Sequence, residues 1–464
     1  MRAIKTLAIG ASLIASNAIA QVVDGIDTVS VAIDSGVLVG QVENDVKVFR
    51  GVPFAKPPVG EMRWRASVAP DSWPGQRLAL TNEPPCPQPV DNNGRTTNGG
   101  GVAGVQSEDC LYLTAYVPPN AEDAPIVLWF YGGAAFLGAG HLGSYNGTSN
   151  AQNGVITFAI NYRLGSMANF NHPALTEVAP VDEPLGNYAL TDAVAALEWI
   201  QRNAEAFGGD PDNVTIAGQS AGGAMVVNLL SIPSAEGLYH KAIIQSGAIL
   251  RQDQTLADAE QRGIEAAKAL GLSDQATADE LRTVSAQSFA YNQATRRGLG
   301  TAIDGRFKTV STLEAMQSGN EIDVPVMVGS NTGERGFSSA RRLASFAGDE
   351  GAGAWLYSFD YVPSFRAEWE NGPIHSAELM FSFDSIDTSG WSVGPNGRAN
   401  EDDRAVAKLV NSCWLAFYRM DVNAKSLNCA NDVDWPAYTD SDDSAIVFGD
   451  QAVIAKSAGI PDGP

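Results

Sequence analysis

The chain is short of histidine, cysteine and positive charge. Among 464 residues there are four histidines and four cysteines. Four histidines leave little for a multi-histidine metal centre, and no cysteine pair has zinc-ligand spacing. No metal or other cofactor is therefore expected. Lys and Arg total 30 against 53 Asp and Glu, a formal charge of −23. Such a field repels nucleic acid and anionic membranes. It favours solubility and neutral or cationic substrates without naming one, and simple solvation of an exported surface accounts for it equally well. Long apolar runs are missing too. Leu7 to Ala15 is too short to span a bilayer, and no later stretch reaches spanning length without charges. That short run follows Arg2 and Lys5 and precedes Ala18-Ile19-Ala20, an A-x-A cleavage site. Residues 1–20 thus read as a signal peptide, and the mature chain as secreted or periplasmic. A small-molecule substrate is the expected partner, with no nucleic acid and no stable membrane insertion. The oligomeric state stays open.

Export suits the cysteines Cys86, Cys110, Cys413 and Cys429. Four allow three pairings, and proximity in sequence favours Cys86–Cys110 with Cys413–Cys429.

Residues 21–464 read as one catalytic domain. Val31 to Phe54 carries alternating apolar runs broken by glycine, as in an antiparallel hairpin. Asp91 to Gly104 is rich in Gly and Asn and reads as a surface loop. Strand-like runs recur at Ile126–Tyr131, Gly154–Asn161, Val214–Gly218, Lys241–Gln245, Val324–Gly329 and Trp355–Tyr361. Helical patterns lie between several of them, most clearly Leu190 to Phe207. This alternation predicts an α/β fold with a predominantly parallel central sheet flanked by helices. At about 250–300 the pattern turns helical, with an alanine-rich run from Leu256 to Leu270 and a capping-box sequence, Thr277-Ala-Asp-Glu280. Ligands in such folds lie beyond the carboxyl ends of the strands. The helical excursion is expected there, as one wall of a cleft.

The chemistry centres on Gly218-Gln219-Ser220-Ala221-Gly222. A β-branched run from Asn213 precedes it and a helix-compatible apolar run to Leu230 follows. This is a G-x-S-x-G nucleophile elbow in its required context of strand, tight turn and helix. Ser220 needs a base, and chain order requires an acid and then a histidine after it. Only His240 and His375 follow Ser220. His240 precedes a strand, at the far edge of the sheet, so His375 is the candidate. Glu334, just beyond the Val324–Gly329 run, is the candidate acid, with Asp304 and Asp360 as competitors. Arg335 beside it points to solvent or pairs with an acid. The strand Leu128-Trp-Phe-Tyr131 runs into Gly132-Gly-Ala-Ala-Phe136, as in the HGGG-type oxyanion element, with Tyr131 in place of the histidine. The amides of Gly133, Ala134 and Ala221 are the candidate oxyanion donors. These parts specify acyl transfer by a serine nucleophile.

With these motifs the sequence resembles the type-B carboxylesterase family, the cholinesterase-like branch of the α/β-hydrolase superfamily, as a secreted bacterial member. The likeness runs from about Val31 to Asp450. It is carried by Phe49-Arg-Gly-Val-Pro-Phe-Ala-Lys-Pro-Pro-Val-Gly60, Ser107-Glu-Asp-Cys-Leu-Tyr-Leu113, Asn161-Tyr-Arg-Leu-Gly165, Phe207-Gly-Gly-Asp-Pro211 and Gln245-Ser-Gly247. The resemblance implies the α/β-hydrolase fold, the triad Ser220, Glu334 and His375, and the Cys86–Cys110 disulfide. It departs from the family in four places. Gln219 stands where Glu usually precedes the serine, which removes a negative charge near the site. No tryptophan lies between Cys86 and Cys110, where cholinesterases keep their platform for quaternary ammonium. Only 41 residues separate Glu334 from His375, and Ala135 replaces a usual Phe. A non-choline ester, and a bulky one, is therefore expected. The same triad serves amidases, thioesterases and polyester hydrolases. A non-catalytic adhesion or binding module is the remaining alternative, disfavoured because every catalytic part is present.

Overall fold

The computed structural model describes residues 22–23, 25–90, 104–298, 300–349 and 351–464. The expected signal peptide and most of the loop at Asp91–Gly104 lie outside the described residues.

Three antiparallel strands lead the fold: Ile26–Ile33, Gly36–Glu43 and Val46–Pro53. The sequence suggests one hairpin here, and the structure has a meander. The second reversal is a two-residue turn at Asn44 and Asp45, with φ of 50° and 65°. Two left-handed residues match the twist of the flanking strands, and Asn and Asp tolerate that region. Val46–Pro53 pairs antiparallel with Tyr112–Val117, which in turn pairs antiparallel with Ile156–Ile160.

From there the sheet is parallel. Its order is Ile156–Ile160, Ala124–Phe130, Gly209–Gln219, Lys241–Gln245, Val326–Asn331, Ala354–Phe359 and Ser444–Phe448. Ala452–Lys456 closes the edge antiparallel. The parallel strands are buried on both faces, which is why Ala124–Phe130 reads as an unbroken apolar run rather than an alternating one. The helices Tyr188–Asn203, Ala221–Leu229, Phe337–Asp349 and Glu401–Arg419 flank the sheet. This is the α/β-hydrolase fold.

The topology fixes where a site must lie. From Ala124–Phe130 the chain crosses to Ile156–Ile160 on one side, then returns to Gly209–Gln219 on the other. The loops leaving Ala124–Phe130 and Gly209–Gln219 thus diverge, and a crevice opens at this switch point beyond the carboxyl ends of the strands.

Helices Leu256–Ala269, Ala278–Thr283 and Ala286–Tyr291 form the excursion. The capping box is present: the Thr277 hydroxyl accepts from the Glu280 amide, and the Glu280 carboxylate accepts from the Thr277 amide. These helices bury Ala266, Ala267, Leu281 and Phe289 in a satellite core with Trp64, Phe170 and Leu175. Both disulfides pair as proximity suggests, Cys86–Cys110 and Cys413–Cys429, with Cα atoms 5.0 and 4.9 Å apart.

Candidate active site

Ser220 occupies the turn between strand Gly209–Gln219 and helix Ala221–Leu229. Its backbone sits at φ 55° and ψ −118°, a region that costs an L-residue energy and is held only where surroundings dictate it. Those surroundings are visible. The Ser220 amide donates to the Gln245 carbonyl at 2.8 Å, and the Ser220 carbonyl accepts from Ala224 at 2.8 Å. The reversal also requires glycine at Gly218, where a Cβ would stand 2.4 Å from the Gly222 carbonyl carbon.

His375 lies in the loop after strand Ala354–Phe359. Its Nε2 is 2.8 Å from the Ser220 hydroxyl, and its Nδ1 is hydrogen-bonded to Glu334 Oε2. Glu334 follows strand Val326–Asn331. Its other oxygen accepts from the Ser246 hydroxyl at 2.6 Å and from the Asn331 amide at 3.0 Å. The carboxylate is thus oriented from both ends. Arg335 takes no part: its Nε donates to a Pro464 oxygen.

The competitors lie elsewhere. Asp304 is a turn residue, accepting the amides of Arg306, Phe307 and Lys308 and that of Leu185. Asp360 follows its strand and accepts from the Thr332 hydroxyl. His240 accepts the Val214 amide at the opposite end of the sheet. His172 caps the helix Pro173–Val178 by accepting from Ala174. His141 lines a small crevice with Glu83 and Tyr112.

A cavity of about 360 Å³ opens at Ser220, lined also by Ala134, Ala135, Ala221 and Met225. Gly133 and Ala134 follow the strand Ala124–Phe130, and Ala221 opens the helix after the serine. Among the described residues no protein acceptor takes the amide hydrogens of Gly133, Ala134 or Ala221. The helices of the excursion do not line this cavity. The 250–300 segment does supply one wall, through the ends that flank its helices: Arg251 and Asp253 before them and Arg297 and Gly300 after, with Ile249 and Thr301 just beyond. The apolar stripe that would have made the helices a wall is spent on the satellite core instead.

Three residues that sequence reasoning left unassigned complete the surroundings. Ser246 and Asn331 hold Glu334, as above. Glu378 is fully buried and accepts from the Asn331 side-chain amide at 2.7 Å. Burial, then the nearby Glu334 charge, pushes its carboxyl up to about 7, although the Asn331 bond and the His375 charge pull the other way. Burial by itself would lower the His375 pKa. The Glu334 hydrogen bond and charge, with the Glu378 charge, outweigh it and raise the pKa above the ordinary value. Ser246 belongs to the Gln245-Ser-Gly247 motif, and Glu378 to the segment His375-Ser-Ala-Glu378. The first was visible as a motif, but not its direction of approach.

Fold and site together define a serine hydrolase of the α/β-hydrolase kind. Comparison with known proteins agrees with this geometry. The chain belongs to the carboxylesterase family, whose sequence model matches residues 27–350. It is 29% identical to the para-nitrobenzyl esterase of Bacillus subtilis (strain 168), over 90% of this chain and 94% of that protein. It is 37% identical to the fumonisin B1 esterase of Sphingopyxis macrogoltabida, over 65% of this chain but only 55% of the length of that protein. Among solved structures, a PNB esterase superposes with a TM-score of 0.80 at 27% identity, covering 93% of this chain and 97% of the other. A Geobacillus stearothermophilus carboxylesterase superposes with a TM-score of 0.75 at 27% identity, covering 92% and 97%.

Proposed function

We propose that the protein is an exported esterase that hydrolyses a non-choline carboxylic ester through an acyl-enzyme on Ser220. The reading rests on one observation above all: the hydrogen-bonded line Glu334–His375–Ser220 ends at a cavity lined by two of the three expected oxyanion donors. His375 Nε2 takes the Ser220 proton as the oxygen attacks the carbonyl carbon. The tetrahedral anion is held by the amides of Gly133, Ala134 and Ala221, each worth about 3 kcal/mol in the transition state. His375 then protonates the leaving alkoxide. A water activated by the same histidine releases the acid. Glu334 keeps the imidazole in the tautomer this cycle needs. None of these steps calls for a cofactor.

Gln219 supports the non-choline part of the reading. It puts a neutral amide 3.4 Å from His375 Nε2, where a carboxylate would draw cations. The small Ala135 and the short 334–375 segment support room for a bulky ester. The names of the relatives, which refer to para-nitrobenzyl esters and to fumonisin B1, are in keeping with that.

Two measurements test this reading. A fluorophosphonate should label the Ser220 peptide stoichiometrically in a mass spectrum. A panel of p-nitrophenyl esters and bulkier alkyl esters, with matched amides and thioesters, should show ester turnover dominant. Labelling elsewhere, or faster amide turnover, would defeat the assignment. A strong preference for the smallest esters would remove only the bulky part.

Glu378 gives the pH profile a shape that can be checked. As Glu378 ionises near neutrality, its charge favours protonated His375, which is the inactive form of the base. A neutral Glu378→Gln removes that charge, so the acid limb of kcat/KM should move to lower pH. Stability should respond as well. The folded pKa, about 7, lies above the ordinary 4.5. Between those values the folded state binds the extra proton, so wild-type stability falls as pH rises through that window and levels off above it. Glu378→Gln should therefore gain Tm over wild type at pH 8 relative to pH 4.5. An unmoved acid limb, with the same Tm difference at both pH values, would refute both statements.

A further inference from the structure

The cavity at Ser220 carries a charge opposite to that of the chain. Four charged residues line it: Arg163, Arg251, Asp253 and Arg297. Two are cancelled. Arg163 is buried against Asp192, with Nη2 to Oδ1 at 2.7 Å. Asp253 faces the buried Lys308 ammonium at 3.4 Å and accepts from the Thr301 hydroxyl. Arg251 and Arg297 form no ion pair with a described residue. They differ in this from Arg50, Arg63 and Arg65, each of which holds a glutamate. Arg297 instead lies over Phe136, its guanidinium carbon 5.2 Å from the ring centroid. A ring face holds a cation without neutralising it, and Phe136 closes the oxyanion loop. Two exposed guanidinium groups, with no ion-pair partner among the described residues, therefore stand on the wall of the cavity.

The position of His375 says which part of the substrate meets them. The leaving oxygen takes its proton from His375 Nε2, so the alcohol part must lie on the His375 side. His375 lines a different hollow, of about 140 Å³, with Trp369, Ile374 and Trp391. It is not among the residues lining the larger cavity. The larger cavity is thus left for the acyl part. A guanidinium binds a carboxylate through parallel N–H bonds, and does so more strongly where water is displaced. Local cations at the cavity also offset the repulsion that a negative protein exerts on an anionic substrate. We infer that the acyl part of the substrate carries a carboxylate, held by Arg251 and Arg297. The inference rests on the esterase reading above and narrows its substrate class to esters of dicarboxylic or polycarboxylic acids.

Three esters test it with the purified full chain. Monoethyl glutarate has the acyl carboxylate, ethyl 4-carbamoylbutanoate replaces it with a neutral amide, and carboxymethyl butanoate moves the carboxylate to the alcohol. Wild type should favour the first over the second by about tenfold or more in kcat/KM, the scale of a charge-assisted hydrogen bond. The advantage should shrink as salt is added. In an Arg251→Glu/Arg297→Glu variant the ratio of the first to the second should fall below one. Equal rates in wild type would overturn the inference, as would a preference for carboxymethyl butanoate or a ratio indifferent to the charge reversal. These failures leave the esterase reading intact, because the neutral ester is still turned over. If wild type hydrolyses none of the three, and no other ester, faster than Ser220→Ala, both readings fall together.

Discussion

Ser220→Ala and His375→Ala each lower kcat by about a million-fold, and the double variant is no slower than either. That is the expected result if the two act as one device. The hydroxyl is inert without the imidazole 2.8 Å away, and the imidazole has nothing to deprotonate without the hydroxyl. Removing the second partner after the first removes nothing further. What remains is the work of the oxyanion amides and of substrate binding, about a thousandfold over water or more. Glu334→Gln should cost less, about ten-thousand-fold, because Ser220 and His375 still meet but the imidazole is held in the wrong tautomer. Initial rates on p-nitrophenyl butyrate, at protein concentrations fixed by absorbance, measure all four. Losses for Ser220 and His375 that multiplied in the double variant would mean that they act independently. A Ser220→Ala enzyme retaining a hundredth of wild-type activity would remove the nucleophile assignment.

The partners of Ser220 were legible because the sequence is poor in histidine. With two histidines after the elbow, and one of them ahead of a strand, order along the chain nearly singled out His375, the histidine that meets Ser220. Glu334 followed from its place just past a buried apolar run. The parallel strands were legible for a related reason: strands buried on both faces, such as Ala124–Phe130, are short continuous apolar blocks. Tyr112–Val117 was not read, since Thr114 and two tyrosines break the apolar run, and its burial comes from strands distant in sequence. The same limit hid Ser246 and Glu378. Nothing within a few residues of Glu378 distinguishes a buried acid from a solvated one. Its environment is assembled from the ends of two separate strands, at Gln245 and Asn331. The cleft wall shows the limit from the other side. Helical periodicity located the excursion correctly, but periodicity marks only which face is apolar. It does not say which neighbour covers that face, and here the neighbour is Phe170 and Leu175 rather than a substrate.

The second large effect falls on the elbow itself. Gly222→Ala should lose activity and stability together, with about 3 kcal/mol or more of destabilisation and at least about a hundredfold loss in kcat. A Cβ at Gly222 would stand 2.0 Å from the Phe130 carbonyl oxygen and 2.7 Å from that of Tyr131. Both obstacles are backbone, one of them in a central strand, so no side-chain rotation relieves them. The start of helix Ala221–Leu229 must move off the sheet, or the end of strand Ala124–Phe130 must move away. Either shift separates the Ala221 amide and the Ser220 oxygen on one element from the Gly133 and Ala134 amides on the other. Gly459→Ala is the matched control, because a Cβ there meets nothing within 4 Å. Thermal melts and steady-state rates on the two variants decide the matter. Gly222→Ala behaving like Gly459→Ala would show that the elbow tolerates a side chain at its second glycine. Ser220→Ala separates the two quantities from the other direction: it removes the chemistry and adds no volume, so its activity should vanish while its melting temperature stays with that of wild type. Only a glycine that holds strand, helix and oxyanion loop in contact should lower both.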